Sequence, residues 1–486
     1  MKQRYLILIM LLATLSAAGA THPWDNGRLE VSKNGRFLRH ADGSPFFWLA
    51  DTGWLLPERQ DRDEAEYYLS RCAEAGYNVV QIQVINGVPA FNAYGQMSMT
   101  AGFDLSGASV PGIYGYWDHL DYIVDCAAHH GIYVGMVCIW GGLVKAGRMD
   151  EQQAAAYGRF LAERYGRRKN IVWIIGGDIE GSVRTEVWDA LATAIKSSDK
   201  NHLMTFHPRG RTTSAKWFND RQWLDFNMFQ SGHRRYGQRM GNKNYPIPDG
   251  TEEDSWMYVD SAWQHRPQKP VLDGEPSYEG IPQGLHDANE PRWTARDIRR
   301  YAYWSVFAGS CGHTYGNNAI MQFVRPGITG AYFADGAGHP WYKALDDPGY
   351  NQMKYLKHLM LSLPYFDRIP DQSVIIGNGE RYDRLLATRG HDYIMVYNHT
   401  GRDMRIDLTK VSGEEKDVWW MDPTDGRLTY LGRHANRITT FRYHAEASGV
   451  ADGVLIAIDA SKNYIARDQA SIISDNAPAA ERDLTE

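Results

Sequence analysis

The chain has 486 residues, more than the roughly 250 to 300 that a single hydrophobic core holds, so we expect at least two domains. Apolar residues make up 43% and charged residues 23%, which fits packed cores and excludes wholesale disorder. The formal net charge of -6 comes without a basic stripe, so no nucleic-acid partner is expected.

Residues 1–20 have the layout of a cleavable secretory signal. Two basic residues precede an apolar run from Tyr5 to Leu15, and small residues follow up to Ala20. We therefore expect an exported protein, periplasmic or secreted, that begins near Thr21. No later stretch is apolar over the roughly 20 residues that a membrane span requires, so no span is expected.

The segment 21–45 is predicted to be β structure, with hairpin turns at Asn34-Gly35 and Asp42-Gly43. Two placements are open for it. Its strands either join a sheet formed later in the chain or cover the bottom of the domain that follows.

Residues 46–364 alternate short β-branched or aromatic runs with longer segments of helical period, as in repeated βα units. Eight strands close a (β/α)8 TIM barrel, which is an α/β fold. The helix after the fifth strand has the weakest pattern, with only 214–220 available. The eight predicted strands are 46–51, 78–84, 132–140, 171–178, 203–208, 224–232, 270–275 and 309–316.

The pattern changes after residue 364 to short alternating runs separated by turn residues. This pattern predicts an antiparallel β-sandwich over 365–465, followed by a polar tail at 466–486. The four cysteines show no CxxC pair and no metal-ligand spacing, and each lies in an apolar pattern. We expect them to be buried thiols, and we expect neither a metal nor another cofactor.

Two carboxylates end barrel strands on opposite sides of the predicted ring. Asp178 ends the fourth strand after two glycines, and Glu275 ends the seventh. Reactive groups of TIM barrels lie at these carboxyl ends, and paired carboxylates hydrolyse glycosidic bonds. We predict Asp178 as general acid/base and Glu275 as nucleophile, about 5 to 5.5 Å apart as retention of configuration requires. Burial and the charge of Glu275 are expected to raise the pKa of Asp178.

Two nearby acids compete for these roles. Glu180 lies two residues beyond Asp178 and is the second candidate for the acid, although it falls past the strand end. Asp273 shares a face with Glu275 one pleat deeper, where a hydrogen bond within the barrel or the orientation of a neighbour is the favoured role.

Other strand ends supply candidates for sugar binding. Carboxylates, amides and imidazoles bond ring hydroxyls, tryptophans stack on sugar faces, and an arginine pairs with a uronic acid. The candidates are Asp51, Trp54, Trp140, His207, Arg209, Gln230, His233, His313 and Tyr315.

Five segments together resemble glycoside hydrolase family 140, exported barrel enzymes with a C-terminal sandwich domain labelled as collagen-binding. The resemblance spans nearly the whole chain after the signal. The segments are WLADTGW (48–54), IIGGD (174–178), HPRGR (207–211), LDGEPSYEG (272–280) and GHTYGNN (312–318).

The resemblance implies a retaining glycoside hydrolase that acts on a plant cell-wall polysaccharide or its oligosaccharides. The family includes apiosidases that release apiose-linked side chains of the pectin rhamnogalacturonan II. By this likeness Asp178 carries over as acid/base and Glu275 as nucleophile. Most members of the wider clan end strand four in Asn-Glu, whereas this chain has Gly177-Asp178, so its acid is shorter.

Two other classes of function stay open at this stage. His207, His233 and His313 at three strand ends suggest a metal-dependent hydrolase on the same barrel, although the first strand offers no His-x-His pair. The sandwich and the aromatic content also fit a non-catalytic carbohydrate- or collagen-binding protein. A serine esterase is not supported, because no G-x-S-x-G motif occurs.

Overall fold

The structure is a computed structural model, and it describes residues 22–100, 102–105, 111–238, 253–285, 287–327, 339–442 and 452–465. The expected signal and polar tail lie outside the described residues. So does the stretch 239–252, which follows the sixth barrel strand in the sequence.

The N-terminal segment forms a small antiparallel sheet of its own, with β1 (Leu29–Val31), β2 (Leu38–His40) and β3 (Pro45–Phe46). The rings of Trp24 and Phe46 contact Tyr133 at centroid distances of 5.6 and 5.4 Å. Tyr133 begins the third barrel strand, so the small sheet covers the amino ends of the barrel strands. Of the two placements open from the sequence, the structure has the second.

Eight parallel strands follow one another around the barrel, as the sequence predicts. A further two-residue strand, β9, lies antiparallel beside β10. The strands are β4 (Trp48–Thr52), β5 (Val79–Gln83), β6 (Tyr133–Val137), β7 (Ile171–Ile179), β8 (Met204–Pro208), β9 (Thr212–Thr213), β10 (Asn227–Gln230), β11 (Val271–Asp273) and β12 (Gly312–Tyr315).

Two contacts complete the ring of strands, one between β12 and β4 and the other between β8 and β10. β12 pairs with β4 in parallel, which joins the last strand to the first. Between β8 and β10, the Asp225 amide donates to the Met204 carbonyl at 2.8 Å, and the Thr205 hydroxyl donates to the Phe226 carbonyl at 2.7 Å. The carboxyl ends of all eight parallel strands therefore meet around one mouth.

Helices fill the connections between these strands. Capping boxes begin several of them; Asp61 and Glu64 exchange bonds at the start of α2, and Asp150 and Gln153 at the start of α5. α7 has only four residues, in line with the weak pattern there. No helix in the described part of the chain is both long and apolar enough to cross a membrane. The helices are α1 (Leu56–Arg59), α2 (Arg62–Glu74), α3 (Tyr116–His129), α4 (Gly141–Lys145), α5 (Glu151–Tyr165), α6 (Thr185–Ser198), α7 (Ala215–Phe218), α8 (Ser255–Trp263), α9 (Ala295–Phe307), α10 (Trp341–Ala344) and α11 (Pro348–Leu361).

The C-terminal part is the antiparallel β-sandwich that the sequence predicts. A six-stranded sheet in the order β13-β14-β15-β20-β17-β18 faces a two-stranded sheet of β16 and β19. The strands are β13 (Ile369–Pro370), β14 (Leu386–Arg389), β15 (Tyr393–Asn398), β16 (Met404–Asp407), β17 (Glu415–Met421), β18 (Leu428–Ala435), β19 (Ile438–Phe441) and β20 (Gly453–Asp459).

The central strands of the six-stranded sheet are buried on both faces. On β15, Ile394 and Val396 pack into the core between the two sheets of the sandwich. Tyr393, Met395 and Tyr397 alternate with them and pack into the core of the barrel. Because successive side chains of a strand point to opposite faces, one sheet serves two cores.

A buried ion pair crosses the boundary between barrel and sandwich. Arg299 of α9 donates to both oxygens of Asp452, from Nε at 2.9 Å and from Nη2 at 2.7 Å. The hydroxyl of Tyr397 donates to the same carboxylate at 2.9 Å. The Arg299 and Asp452 side chains are 5% and 0% exposed, so neither charge has water as an alternative partner.

All four cysteines are buried, unpaired thiols, as expected from the sequence. Their positions are Cys72, Cys126, Cys138 and Cys311.

Replacing Arg299 by Met should destabilise the protein by about 3 to 5 kcal/mol, because the Asp452 carboxylate is left buried without its counter-charge. Urea denaturation followed by tryptophan fluorescence measures the change. Arg427→Met is the matched control, since Arg427 pairs with Asp425 at the surface and is 57% exposed. Equal midpoints for the two variants would contradict a structural role for the buried pair.

Candidate active site

A cavity of about 520 Å³ opens at the carboxyl ends of the barrel strands. Seven of the candidate residues line it, and they come from six different strand ends. The seven are Trp54, Trp140, Asp178, Arg209, Gln230, His233 and Glu275.

Asp178 reaches the cavity through a bend at the end of β7. Gly176, Gly177 and Asp178 have consecutive φ angles of 89°, 118° and 50°, all in the left-handed region. A Cβ on Gly176 would lie 2.6 Å from the His207 carbonyl oxygen, and one on Gly177 would lie 2.8 Å from the Trp140 ring. Both glycines are therefore required by space as well as by conformation. An aspartate in this region stores strain of about 1 to 3 kcal/mol, which is typical of functional sites.

Glu275 follows β11 and lies between two histidines. His233 Nε2 is hydrogen-bonded to Oε1 at 3.0 Å, and His207 Nε2 lies 3.2 Å from Oε2. The Asp178 amide donates to His207 Nδ1 at 3.3 Å, so the proton of a neutral His207 ring is on Nε2, facing Glu275. His207 thus contacts the backbone of one predicted catalytic residue and the side chain of the other.

His233 is itself fixed by its neighbours. Its backbone carbonyl accepts from the Gly284 amide at 2.7 Å and from the Trp293 indole at 3.1 Å. Its ring packs edge-on against Tyr278 at 4.8 Å, and the Tyr278 hydroxyl accepts from the Trp54 indole at 3.1 Å. The imidazole that meets Glu275 therefore has little freedom to turn.

The two carboxyl groups have opposite pKa shifts. Asp178 is exposed to the solvent of the cavity, but the surrounding walls remove part of its hydration; this desolvation, and then the charge of Glu275, raise the pKa of Asp178 to about 6. Burial also opposes ionisation of Glu275, but the hydrogen bonds and charge of His207 and His233 outweigh it and lower its pKa to about 2. At mildly acidic pH one group is thus an acid and the other an anion, the combination that two-carboxylate catalysis needs.

Aromatic rings form one wall of the cavity. The Trp54 and Trp140 rings meet at 5.7 Å, and both contact the His207 ring. His207 itself is fully buried, so it contributes to this wall from behind and does not reach the cavity surface.

Besides His207, three residues expected to bind sugar do not reach the cavity. The Asp51 carboxylate accepts from the Tyr68 hydroxyl at 2.7 Å and therefore points toward the helix layer. The Tyr315 hydroxyl donates to Glu279 at 2.6 Å. His313 lies two residues before Tyr315 on the same face of β12 and is fully buried.

These placements correct the sequence interpretation, and the reason is the pleat. Successive residues of a barrel strand alternate between the lumen and the helix layer, and a polar residue near a strand end can lie on either side. Burial raises the pKa of Asp51 to about 7 and lowers that of His313 to about 3, as expected for groups kept from water.

The two competing acids are engaged elsewhere. Glu180 does not line the cavity, and its carboxylate pairs with the guanidinium of Arg209 at 3.1 Å. Asp273 is fully buried and accepts from the Ser231 hydroxyl at 2.6 Å, as its depth in the strand suggested.

Several residues of the cavity wall were not among the candidates. Gln83 could have been found, because Gln81 and Gln83 alternate inside an otherwise apolar strand and mark its polar lumen side. Gln81 donates to the carbonyl of Gly274, next to Glu275, at 3.0 Å. The others come from loops, where periodicity gives no signal. The residues missed include Gln83, Arg211, Arg234, Tyr278 and Gln322.

Comparison with known proteins agrees with this architecture. Residues 32–367 match the family described as "Apiosidase-like, catalytic domain", and residues 369–458 match the "Putative collagen-binding domain of a collagenase". A crystal structure described as a glycoside hydrolase family 5 protein from Bacteroides vulgatus is 60% identical, with a TM-score of 0.90 over 94% of this chain and 98% of that one. A second structure, described as a glycoside hydrolase, is 61% identical, with a TM-score of 0.89 over 92% of this chain and 100% of that one. A search of curated proteins found no match.

The first match covers β2, β3 and the whole barrel, and the second covers the sandwich. The first match contains both carboxylates, both histidines that contact Glu275, and the glycine bend of β7. The chain therefore belongs to the apiosidase-like family of glycoside hydrolases.

Proposed function

We propose that the protein is an exported retaining glycoside hydrolase that cleaves apiose-linked side chains of rhamnogalacturonan II. The observation that carries the proposal is the pair of carboxyl groups in one cavity. Glu275 is kept anionic by two imidazoles, and Asp178 is kept protonated to a higher pH than an ordinary aspartate.

The first step forms a covalent intermediate. Glu275 attacks the anomeric carbon while Asp178 gives its proton to the leaving oxygen, so the glycosidic C–O bond breaks as the glycosyl ester forms. In the second step a water molecule attacks the same carbon, Asp178 accepts the water proton, and the ester bond to Glu275 breaks.

The coupling of the two groups suits both steps. While Glu275 is an anion, its charge favours the proton on Asp178. Once Glu275 is esterified that charge is gone, so the pKa of Asp178 falls and the group becomes a base when a base is needed.

The substrate proposal rests on the cavity wall and on the family. Trp54 and Trp140 offer faces on which a sugar ring can stack, and Gln83 and Gln230 offer amides for its hydroxyls. Arg209 lines the cavity, and the carboxylate of a uronic acid, which is abundant in pectin, would share its guanidinium with Glu180. The likeness to apiosidases directs the choice among pectic bonds.

The rival metal-dependent hydrolase is less well supported. His207 and His233 contact different oxygens of the Glu275 carboxylate. The third histidine, His313, does not line the cavity. Activity that survives exhaustive chelation would remove this rival.

Asp178→Asn should lower kcat/KM on a natural glycoside by about 10² to 10⁴-fold, because the leaving oxygen loses its proton donor. On an aryl glycoside with an acidic phenol, the glycosylation step of Asp178→Asn should be slowed far less, because that leaving group departs without a proton. Glu275→Gln should lose activity on both substrates.

Glu180→Gln is the matched control, being two residues from Asp178, and should stay within about tenfold of wild type, as expected for a surface charge. If Glu180→Gln were the variant rescued by the aryl glycoside, the assignment of the acid would be wrong. The anomer released first, followed by proton NMR, should have the configuration of the substrate.

The pH profile of kcat/KM should fall as pH rises through about 6, because deprotonation of Asp178 removes the acid. On the acidic side, activity should fall only at a pH below the usual pKa of a glutamate, because the histidines keep Glu275 ionised. In Glu275→Gln, NMR titration of Asp178 should give a lower pKa than in wild type, because one cause of the upward shift is removed. An unchanged or higher value would contradict electrostatic coupling of the pair.

The wild-type enzyme should release apiose-terminated oligosaccharides from rhamnogalacturonan II and its side-chain fragments, and the Glu275→Gln variant should release none. Mass spectrometry with linkage analysis identifies the products. Release of sugars without terminal apiose would leave a glycoside hydrolase but overturn the proposed substrate.

A further inference from the structure

A second cluster of reactive side chains lies on the helix layer, away from the cavity. Glu66 of α2 faces Cys126 of α3 and His130, the residue after that helix. Glu66 Oε2 lies 2.8 Å from Cys126 Sγ, and Glu66 Oε1 lies 2.7 Å from His130 Nε2. The three ligand atoms all lie within 4.8 Å of one another. None of the three residues lines the cavity.

We propose that Glu66, Cys126 and His130 bind a divalent cation of intermediate softness such as Zn²⁺. A thiolate, an imidazole and a carboxylate are the three side-chain types that Zn²⁺ takes as ligands, and water supplies the fourth position of a tetrahedron. Hard cations such as Mg²⁺ and Ca²⁺ prefer oxygen ligands and fit this set poorly.

The spacing of the ligands suits this role. Cys126 lies in the last turn of α3 and His130 is the residue that caps it, so the two are four residues apart at the same end of the helix. Glu66 comes from the neighbouring helix. A cation held by all three would therefore join α2 to α3, two helices that pack side by side around the barrel.

Binding requires Glu66 to move. Tetrahedral ligation by sulfur at about 2.3 Å and oxygen at about 2.1 Å separates those two atoms by about 3.6 Å. The present Sγ–Oε2 distance of 2.8 Å must open by roughly 0.8 Å. Glu66 can make that movement, because its side chain is 46% exposed and extends from the surface. Cys126 is 6% exposed and the His130 side chain 18%, so they form the fixed half of the site.

Binding has a simple proton balance. The Cys126 S–H bond breaks, the sulfur donates its electron pair to the cation, and the proton leaves to solvent. The Glu66 carboxylate donates a lone pair without losing a proton. His130 ligates through Nε2 after the ring proton that Nε2 shares with Glu66 has moved to Nδ1, so the ring keeps one proton. The consequence is stabilisation of the folded chain, since the cation binds the folded form and the unfolded chain lacks the assembled site.

Titration of the full mature chain with Co²⁺, after treatment with EDTA and removal of the chelator, tests the site directly. One equivalent should bind and give thiolate-to-cobalt charge-transfer absorption, and Zn²⁺ should displace it. Zn²⁺ should also raise the thermal midpoint. Glycosidase activity should survive EDTA, because the site lies away from the cavity.

Cys126→Ser should abolish the charge-transfer absorption, and Glu66→Gln and His130→Gln should each weaken Co²⁺ binding at least tenfold. His129→Gln is the matched control, since His129 is the exposed neighbour on the same helix and should leave the spectrum unchanged. If Cys126→Ser fails to fold, the two other ligand variants decide. Absence of the absorption in wild type at millimolar Co²⁺, or its persistence in Glu66→Gln and His130→Gln at wild-type affinity, overturns the site.

Discussion

The chemistry of this molecule depends on one contact: the Glu275 carboxylate held between the imidazoles of His207 and His233. A buried carboxylate without such partners would take up a proton and cease to be a nucleophile. With the partners in place the anion persists, and its field in turn favours the proton on Asp178. One set of contacts thus assigns both roles.

The barrel supplies this contact because it brings distant parts of the chain together. His207 comes from β8, His233 from the loop after β10, and Glu275 from the end of β11, and parallel closure puts their carboxyl ends around one mouth. The bend at Gly176 and Gly177 then turns Asp178 into the same space. The hydrogen bond from the Trp54 indole to the Tyr278 hydroxyl and the ring contact of Trp54 with His207 fix the remaining wall.

Sequence patterns predicted much of this arrangement, and the failures have a common physical origin. The eight strands, the weak α7 and the sandwich follow from periodicity and turn residues, and Asp178 and Glu275 follow from their positions at strand ends. Asp51 and Tyr315 also sit at strand ends but face the helices, because orientation depends on the exact register of each strand. Arg211, Arg234 and Tyr278 lie in loops whose course only the folded chain defines. The Glu66, Cys126 and His130 cluster was missed for a related reason, since it joins two helices that are separate in sequence.

The sheet that serves two cores sets a limit on how this protein can be divided. Tyr393, Met395 and Tyr397 of β15 belong to the large hydrophobic cluster of the barrel domain, and Tyr397 stacks on Tyr303 of α9. Removing the sandwich would expose apolar residues of the barrel domain that it now buries. The two regions are therefore not independently exchangeable domains. A ligand of the sandwich has to bind at its opposite face or at its edge. A gene fusion that carries the sandwich alone exposes the apolar face that packs against the barrel domain.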